Sequence, residues 1–140
     1  MTPREHCLAC LKKTPQDVFE AALWISAEHD QQFLPQQLFG EMDDLLRRVS
    51  SLLPAMPNTE LAQPLLRQLN ALGFAQDDWN PPKPQTALMH KVVLRRRGQP
   101  LGLALVAMEL AKRLGVPLEG VNFPGHFLLR VPGADHLLDP

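Results

Sequence analysis

The residues best suited to chemistry lie near the end of the chain. His126 follows Pro124-Gly125 at the start of an apolar, strand-like run, and Asp139 follows Leu137-Leu138. A strand histidine with a carboxylate to orient its ring is the base of a nucleophilic acyl-transfer site. The nucleophile in such a site is a thiol or hydroxyl made reactive by the base or by a helix N-terminus. Both residues also have plain structural readings. A histidine in a Pro-Gly-His turn can donate to a backbone carbonyl and pack between Phe123 and Phe127, and an aspartate at a strand end can be a turn carboxylate. Upstream, Arg95-Arg96-Arg97 precedes Gly98-Gln99-Pro100. Arginines there fit the negative end of a helix dipole. They also fit a clamp for an anion or carboxylate beside His126, because the guanidinium fork binds carboxylates bidentately.

The cysteines are Cys7 and Cys10, after His6. Without a second pair they do not complete a tetrahedral metal set. No strand precedes them, so the thioredoxin-type context is missing. They read as small hydrophobes on a short helix, although a thiol folding back onto His126 stays open. No metal and no cofactor is expected.

The elements that must position these residues follow from proline and capping signals. Thr2-Pro3-Arg4-Glu5 has the form of a capping box, opening a helix to about residue 13 with Leu8 and Leu11 inward. Thr14-Pro15-Gln16-Asp17 repeats the signal, for a helix with Val18, Ala21, Ala22 and Ile25 on its core face, Trp24 alongside, and an end near His29-Asp30. Pro35 fits N1, the first residue of a third helix with Leu38, Met42, Leu45, Leu46, Val49 and Leu52/Leu53 as its stripe. Its Asp43-Asp44 and Arg47-Arg48 are spaced for i,i+4 pairing. After the break at Pro54–Pro57, Asn58 or Thr59 caps a fourth helix that Pro64 delays or kinks and Gly73 ends. Residues 75–85 read as a loop, since they hold three prolines in four positions. Thr86 is the expected cap of a fifth helix reaching about residue 96, and Gly98-Gln99-Pro100 a turn. Residues 101–114 form the most apolar helix, with Gly102, Ala104, Ala107 and Ala111 giving it small faces and Gly115 stopping it. Strands are expected at 116–123 and 127–131, a hairpin turn at 132–135, and a return strand from 136 to 139.

The expected class is α+β: a helical N-terminal bundle of about five to six helices packed on a short antiparallel β-sheet. The 140 residues make one domain, with 1–74 a helical lead-in, 75–85 a proline-rich loop and 86–140 the core helices and strands. A formal net charge of −1, without a basic stripe or aromatic platform, argues against nucleic acid. No apolar run approaches the ~18 residues that cross a bilayer, so no membrane partner is expected. Arg4 and Glu5 occupy the place of a signal peptide's apolar core. The cytoplasm is the expected compartment.

The segment VVLRRRGQPLGLALVAMELAKRLGVPLEGVNFPGHFLLR, followed by LLDP, resembles the bacterial transglutaminase-like proteins of the Sir invasion-regulator type, the second transglutaminase-like core family. The matching motifs are Val93 to Pro100, Arg113 to Gly115, Gly120 to Phe127, and Asp139-Pro140. The NALGF stretch at Asn70 to Phe74 is similar to that family's helical lead-in. The resemblance implies a papain-like core with a cysteine at a helix N-terminus, a strand histidine and an aspartate. His126 and Asp139 match the last two. Counting back from Gly115 places the cysteine near Pro100, Leu101 and Gly102, none of which is a nucleophile. A retained dyad without its thiol implies a non-catalytic domain with a protein- or peptide-binding, regulatory role. Arg96, Arg97, Gly98, Pro100, Pro124 and Gly125 would surround that cleft.

Two departures accompany the match. Gln85-Thr86 stands where the family places Asn-Ser, and family members continue past the DPF segment. The chain is therefore expected to be a fragment or excised domain, with a last strand open to pairing with a second copy. Two other readings stay open: a cysteine-dependent hydrolase or acyl transferase using Cys7 or Cys10 with His126 and Asp139, and a structural or assembly domain.

Overall fold

The computed structural model describes residues 2–14, 16–76, 88–123, 126–134 and 137–138, with His126 described through its backbone. Six α-helices are described: α1 (Pro3–Lys12), α2 (Val18–His29), α3 (Gln36–Leu52), α4 (Ala62–Ala71), α5 (Met89–Arg95) and α6 (Pro100–Leu114). A 3-10 turn at Asn58–Glu60 precedes α4. Four short strands accompany them: β1 (Ala75–Gln76), β2 (Arg97–Gly98), β3 (Glu119–Phe123) and β4 (His126–Arg130). The α+β expectation, with helices first and a small antiparallel sheet last, holds.

Capping sets most helix starts. Thr2 Oγ1 accepts from the Glu5 backbone N–H at 3.1 Å, with Pro3 opening α1. The second capping signal is carried by Asp17 and not by Thr14. Its Oδ1 accepts from Glu20 N–H at 3.1 Å, because the helix starts only at Val18. Pro35 precedes α3, and Gln37 Oε1 accepts from Leu34 N–H. Neither Asn58 nor Thr59 caps α4. They form the 3-10 turn instead, and Pro64 sits in the first turn of α4, where its missing N–H leaves no bond unmade. The helix ends in a Schellman turn: Gly73, at φ 100°, donates to Asn70 O, and Phe74 donates to Leu69 O.

The inward faces of the first two helices differ from expectation. Leu8 and Leu11 are exposed, and the buried face of α1 is Cys7 and Cys10. On α2, Val18 and Ile25 are exposed while Phe19, Leu23 and Ala27 are buried. The two helices form a hairpin closed by the Arg4–Glu28 ion pair and by His6 stacked on Trp24 at 4.0 Å. The cysteines pack with Ala21 in a small satellite cluster. The main core joins α2 to the later elements through Leu23, Met42, Leu65, Val92 and Leu110. On α3, Leu38, Met42, Leu45 and Val49 are buried as expected, while Leu52 is exposed.

Residues 75–76 leave the expected loop. β1 pairs in parallel with β2, Ala75 opposite Arg97 and Gln76 opposite Gly98. Gly98 is therefore in a strand, Gln99 is the N-cap of α6, and Pro100 is its first residue. α5 begins at Met89; its expected cap, Thr86, lies outside the described residues. β3 and β4 pair antiparallel from Glu119↔Arg130 to Phe123↔His126. Gly120 leaves room for the Phe127 ring, which a Cβ there would meet. The return strand is represented among the described residues by one bridge, Leu129↔Leu138, which buries both side chains.

Candidate functional site

The corner where α5 gives way to α6 collects most of the expected site residues that are described. Arg96 ends α5 in the left-handed conformation, φ 59° and ψ 28°, a region that costs a non-glycine residue energy. That reversal turns the chain into β2. It also aims the Arg96 guanidinium at the carbonyl of Leu72, with its centre 5.8 Å from the Phe74 ring centroid. Arg97 donates to the carbonyls of Gly73 and Arg96. Two cations thus cover the C-terminal end of α4, where the helix dipole favours them.

Gly98 and Gly102 bring β2 and the first turn of α6 against Val92. A Cβ on Gly98 would stand 2.8 Å from Val92 Cγ2, and one on Gly102 3.2 Å from it. The three residues expected at the nucleophile position are then Pro100, the first residue of α6; Leu101, 51 % exposed; and Gly102, pressed onto α5. Leu94, on the other arm of the same corner, is 55 % exposed. His126 opens β4 opposite Phe123. Pro124, Gly125 and Asp139 lie outside the described residues.

The cysteines sit elsewhere. Cys10 Sγ donates to Glu20 Oε2 at 2.9 Å. Burial, followed by that hydrogen bond and the Glu20 charge, pushes the Cys10 thiol up to about 12. A thiol so held is a proton donor, the reverse of an activated nucleophile.

The sequence reading missed a second buried polar group. His90 on α5 is buried, stacks on Phe33 at 4.1 Å, and places Nε2 3.0 Å from Asp30 Oδ2. Burial lowers the imidazole below the ordinary histidine range against the opposing pull of Asp30, and the same hydrogen bond is the first cause lowering Asp30. The pair is thus a neutral ring donating Nε2–H to a carboxylate, with Nδ1 buried and without a partner among the described residues. Beside it, Ser26 Oγ accepts from Met89 N–H at 2.8 Å and supplies the start of α5 with a partner. Sixty residues separate His90 from Asp30, and no local pattern signals the contact. The described residues contain no cluster of three or more His, Cys, Asp or Glu suited to a metal ion.

The motifs and this helix-then-sheet order agree with comparison to known proteins. The family model described as "Transglutaminase-like superfamily" matches residues 36–140. The chain belongs to the transglutaminase-like superfamily. A UPF0162 protein of Pseudomonas aeruginosa is 55% identical over 141 residues, covering 100% of this chain and 52% of that protein. The chain thus spans about half the length of that relative. A UPF0162 protein of Xylella fastidiosa is 49% identical over 55 residues, 39% of this chain and 20% of its own length. The human F-box only protein 21 is 57% identical over 42 residues, 30% of this chain and 7% of that protein. No solved structure matches the chain.

Proposed function

We propose that this is a non-catalytic domain of the Sir invasion-regulator type within the superfamily, one that binds a protein or peptide partner in a regulatory role. The observation that supports the reading is the start of α6: Pro100, Leu101 and Gly102, the residues expected at the nucleophile position, carry no thiol or hydroxyl, and Gly102 lies against Val92. The two thiols are placed poorly for the task, since Cys7 and Cys10 are both buried on α1 and the protonated Cys10 thiol donates a hydrogen bond to Glu20. The exposed Leu94 and Leu101 supply the α5–α6 corner with apolar contact surface. The human protein carries a similar stretch as a small part of a much longer chain, in keeping with a module that works inside larger proteins.

The test is turnover of activated acyl esters and of glutamine-donor peptides by the wild type and by Leu101→Cys. The wild type is expected to match the buffer blank. Leu101→Cys is expected to show a thiol at the α6 N-terminus that alkylates faster at pH 7 than Cys10 does. Turnover by the wild type that disappears in Cys7→Ala or Cys10→Ala would overturn the proposal in favour of the cysteine-hydrolase reading.

A further inference from the structure

An apolar recess between α4 and α6 is separate from the α5–α6 corner. It has a volume of about 330 Å³, inside the range of small-molecule sites. One wall is Leu66 and Leu69 of α4, another Leu103, Val106 and Ala107 of α6, and the Schellman turn closes the third with Phe74. Ala107 is the smallest of the α6 side chains that line it. None of the residues assigned to the acyl-transfer layout lines it.

Two polar side chains stand on its α4 wall, one turn apart: Arg67 and Asn70, both exposed. Arg67 is distinctive among the described arginines. Arg4, Arg47, Arg48, Arg113 and Arg130 are in ion pairs. Arg96 and Arg97 donate to carbonyls, and Arg95 is also engaged. Arg67 has neither an ion pair nor a hydrogen bond among the described residues. An unused guanidinium fork and an amide donor above an apolar hollow complement one chemistry, a carboxylate carrying an apolar body. A cation would leave the fork unmatched, and an anion without an apolar body would leave the hollow unfilled.

We infer that the α4–α6 recess is a binding site for a small aliphatic monocarboxylate, the chain lying between Leu69, Phe74, Val106 and Ala107 and the carboxylate held by Arg67 and Asn70. The inference is independent of the proposed partner-binding role. Calorimetric titration of the 140-residue protein with octanoate and with 1-octanol tests it. Octanoate is expected to saturate at one per chain and to bind about tenfold more tightly than 1-octanol. Arg67→Ala is expected to bring octanoate down to the octanol level and leave octanol unchanged. Ala107→Leu, which fills the hollow, is expected to weaken both ligands. Arg67→Ala alters an exposed residue and so keeps the test decisive if Ala107→Leu does not fold. Equal affinity for octanoate and octanol, or octanoate binding indifferent to Arg67→Ala, overturns the inference. So does binding of a leucine-terminated hexapeptide with a free C-terminus in the absence of octanoate binding.

Discussion

At the scale of single residues, the proton positions of two buried groups set measurable behaviour. Cys10 keeps its proton because burial and the Glu20 carboxylate both oppose the thiolate. Its folded value lies above the ordinary 9.0, so the stability it contributes is present below pH 9 and is lost as pH rises towards about 12. Iodoacetamide labelling of Cys10 is expected to be slow at pH 7 to 8. It should accelerate in Glu20→Gln, which removes the Glu20 charge opposing the thiolate, and peptide mass spectrometry reads the rate. His90 has the opposite dependence. Its folded value is lowered, so the unfolded chain takes up the proton first, near pH 6.5. Stability is then present above that pH and is lost as pH falls through the folded value. Asp30 adds a further loss below 3.8. Urea unfolding at pH 7.5 and 5.5 should show the decline. His90→Phe, which keeps the stack on Phe33, should flatten it between those two pH values.

At the scale of elements, backbone geometry at the α5–α6 corner matters more than any one polar contact. Gly98→Ala is expected to cost about 1–3 kcal/mol, since its Cβ meets Val92. Val92→Ala in the same chain should recover part of that loss, and a double-mutant cycle in urea measures the coupling. Arg96→Gly should be more stable than Arg96→Ala by about 1 kcal/mol, because both lose the guanidinium but only glycine relieves the left-handed strain. Equal stabilities would mean that the turn is unstrained. The helix starts at Thr2 and Pro35 and the stop at Gly115 were legible in the sequence, because caps, prolines and positive-φ glycines are local signals. The inward faces of α1 and α2 were not. From Val18 to Ala27 nearly every residue is apolar, so periodicity selects no face, and the neighbours α5 and α6 choose Phe19 and Leu23 instead. The β1–β2 ladder and the His90–Asp30 pair join residues far apart in sequence and had no local trace. At the α5–α6 corner, the change of direction was legible from Gly98-Gln99-Pro100, but the strand at Gly98 and the helix start at Pro100 were not. The use of Arg96 and Arg97 on the carbonyls of α4 was not, since it depends on where α4 ends in space.

At the scale of the whole molecule, the boundary drawn by the family match and the boundary of the folded core do not coincide. The match begins at residue 36, yet Phe19, Leu23 and Ala27 of α2 are part of the main core, and Ser26 and Asp30 hold the start of α5. A protein beginning at residue 36 is expected to lose cooperative unfolding, while one beginning at residue 16 should keep it. The latter gives up only α1 and the satellite cluster around Cys7 and Cys10. Differential scanning calorimetry of the two truncations distinguishes them, and a cooperative transition in the shorter one would show α2 to be dispensable. Among the described residues no helix is long and apolar enough to cross a membrane.

The parallel ladder of β1 and β2 has a bearing on protein engineering. Gln76 is tied to Gly98 on one side of residues 77–87, and Met89 is tied to Ser26 on the other. Both anchor points belong to the framework and not to the stretch between them. A chain divided between these two anchor points would therefore keep each new end tied to the framework, Gln76 by the β1–β2 ladder and Met89 by Ser26. The two pieces, produced separately, should recombine through those ties, which makes this the natural point for a split-protein reporter.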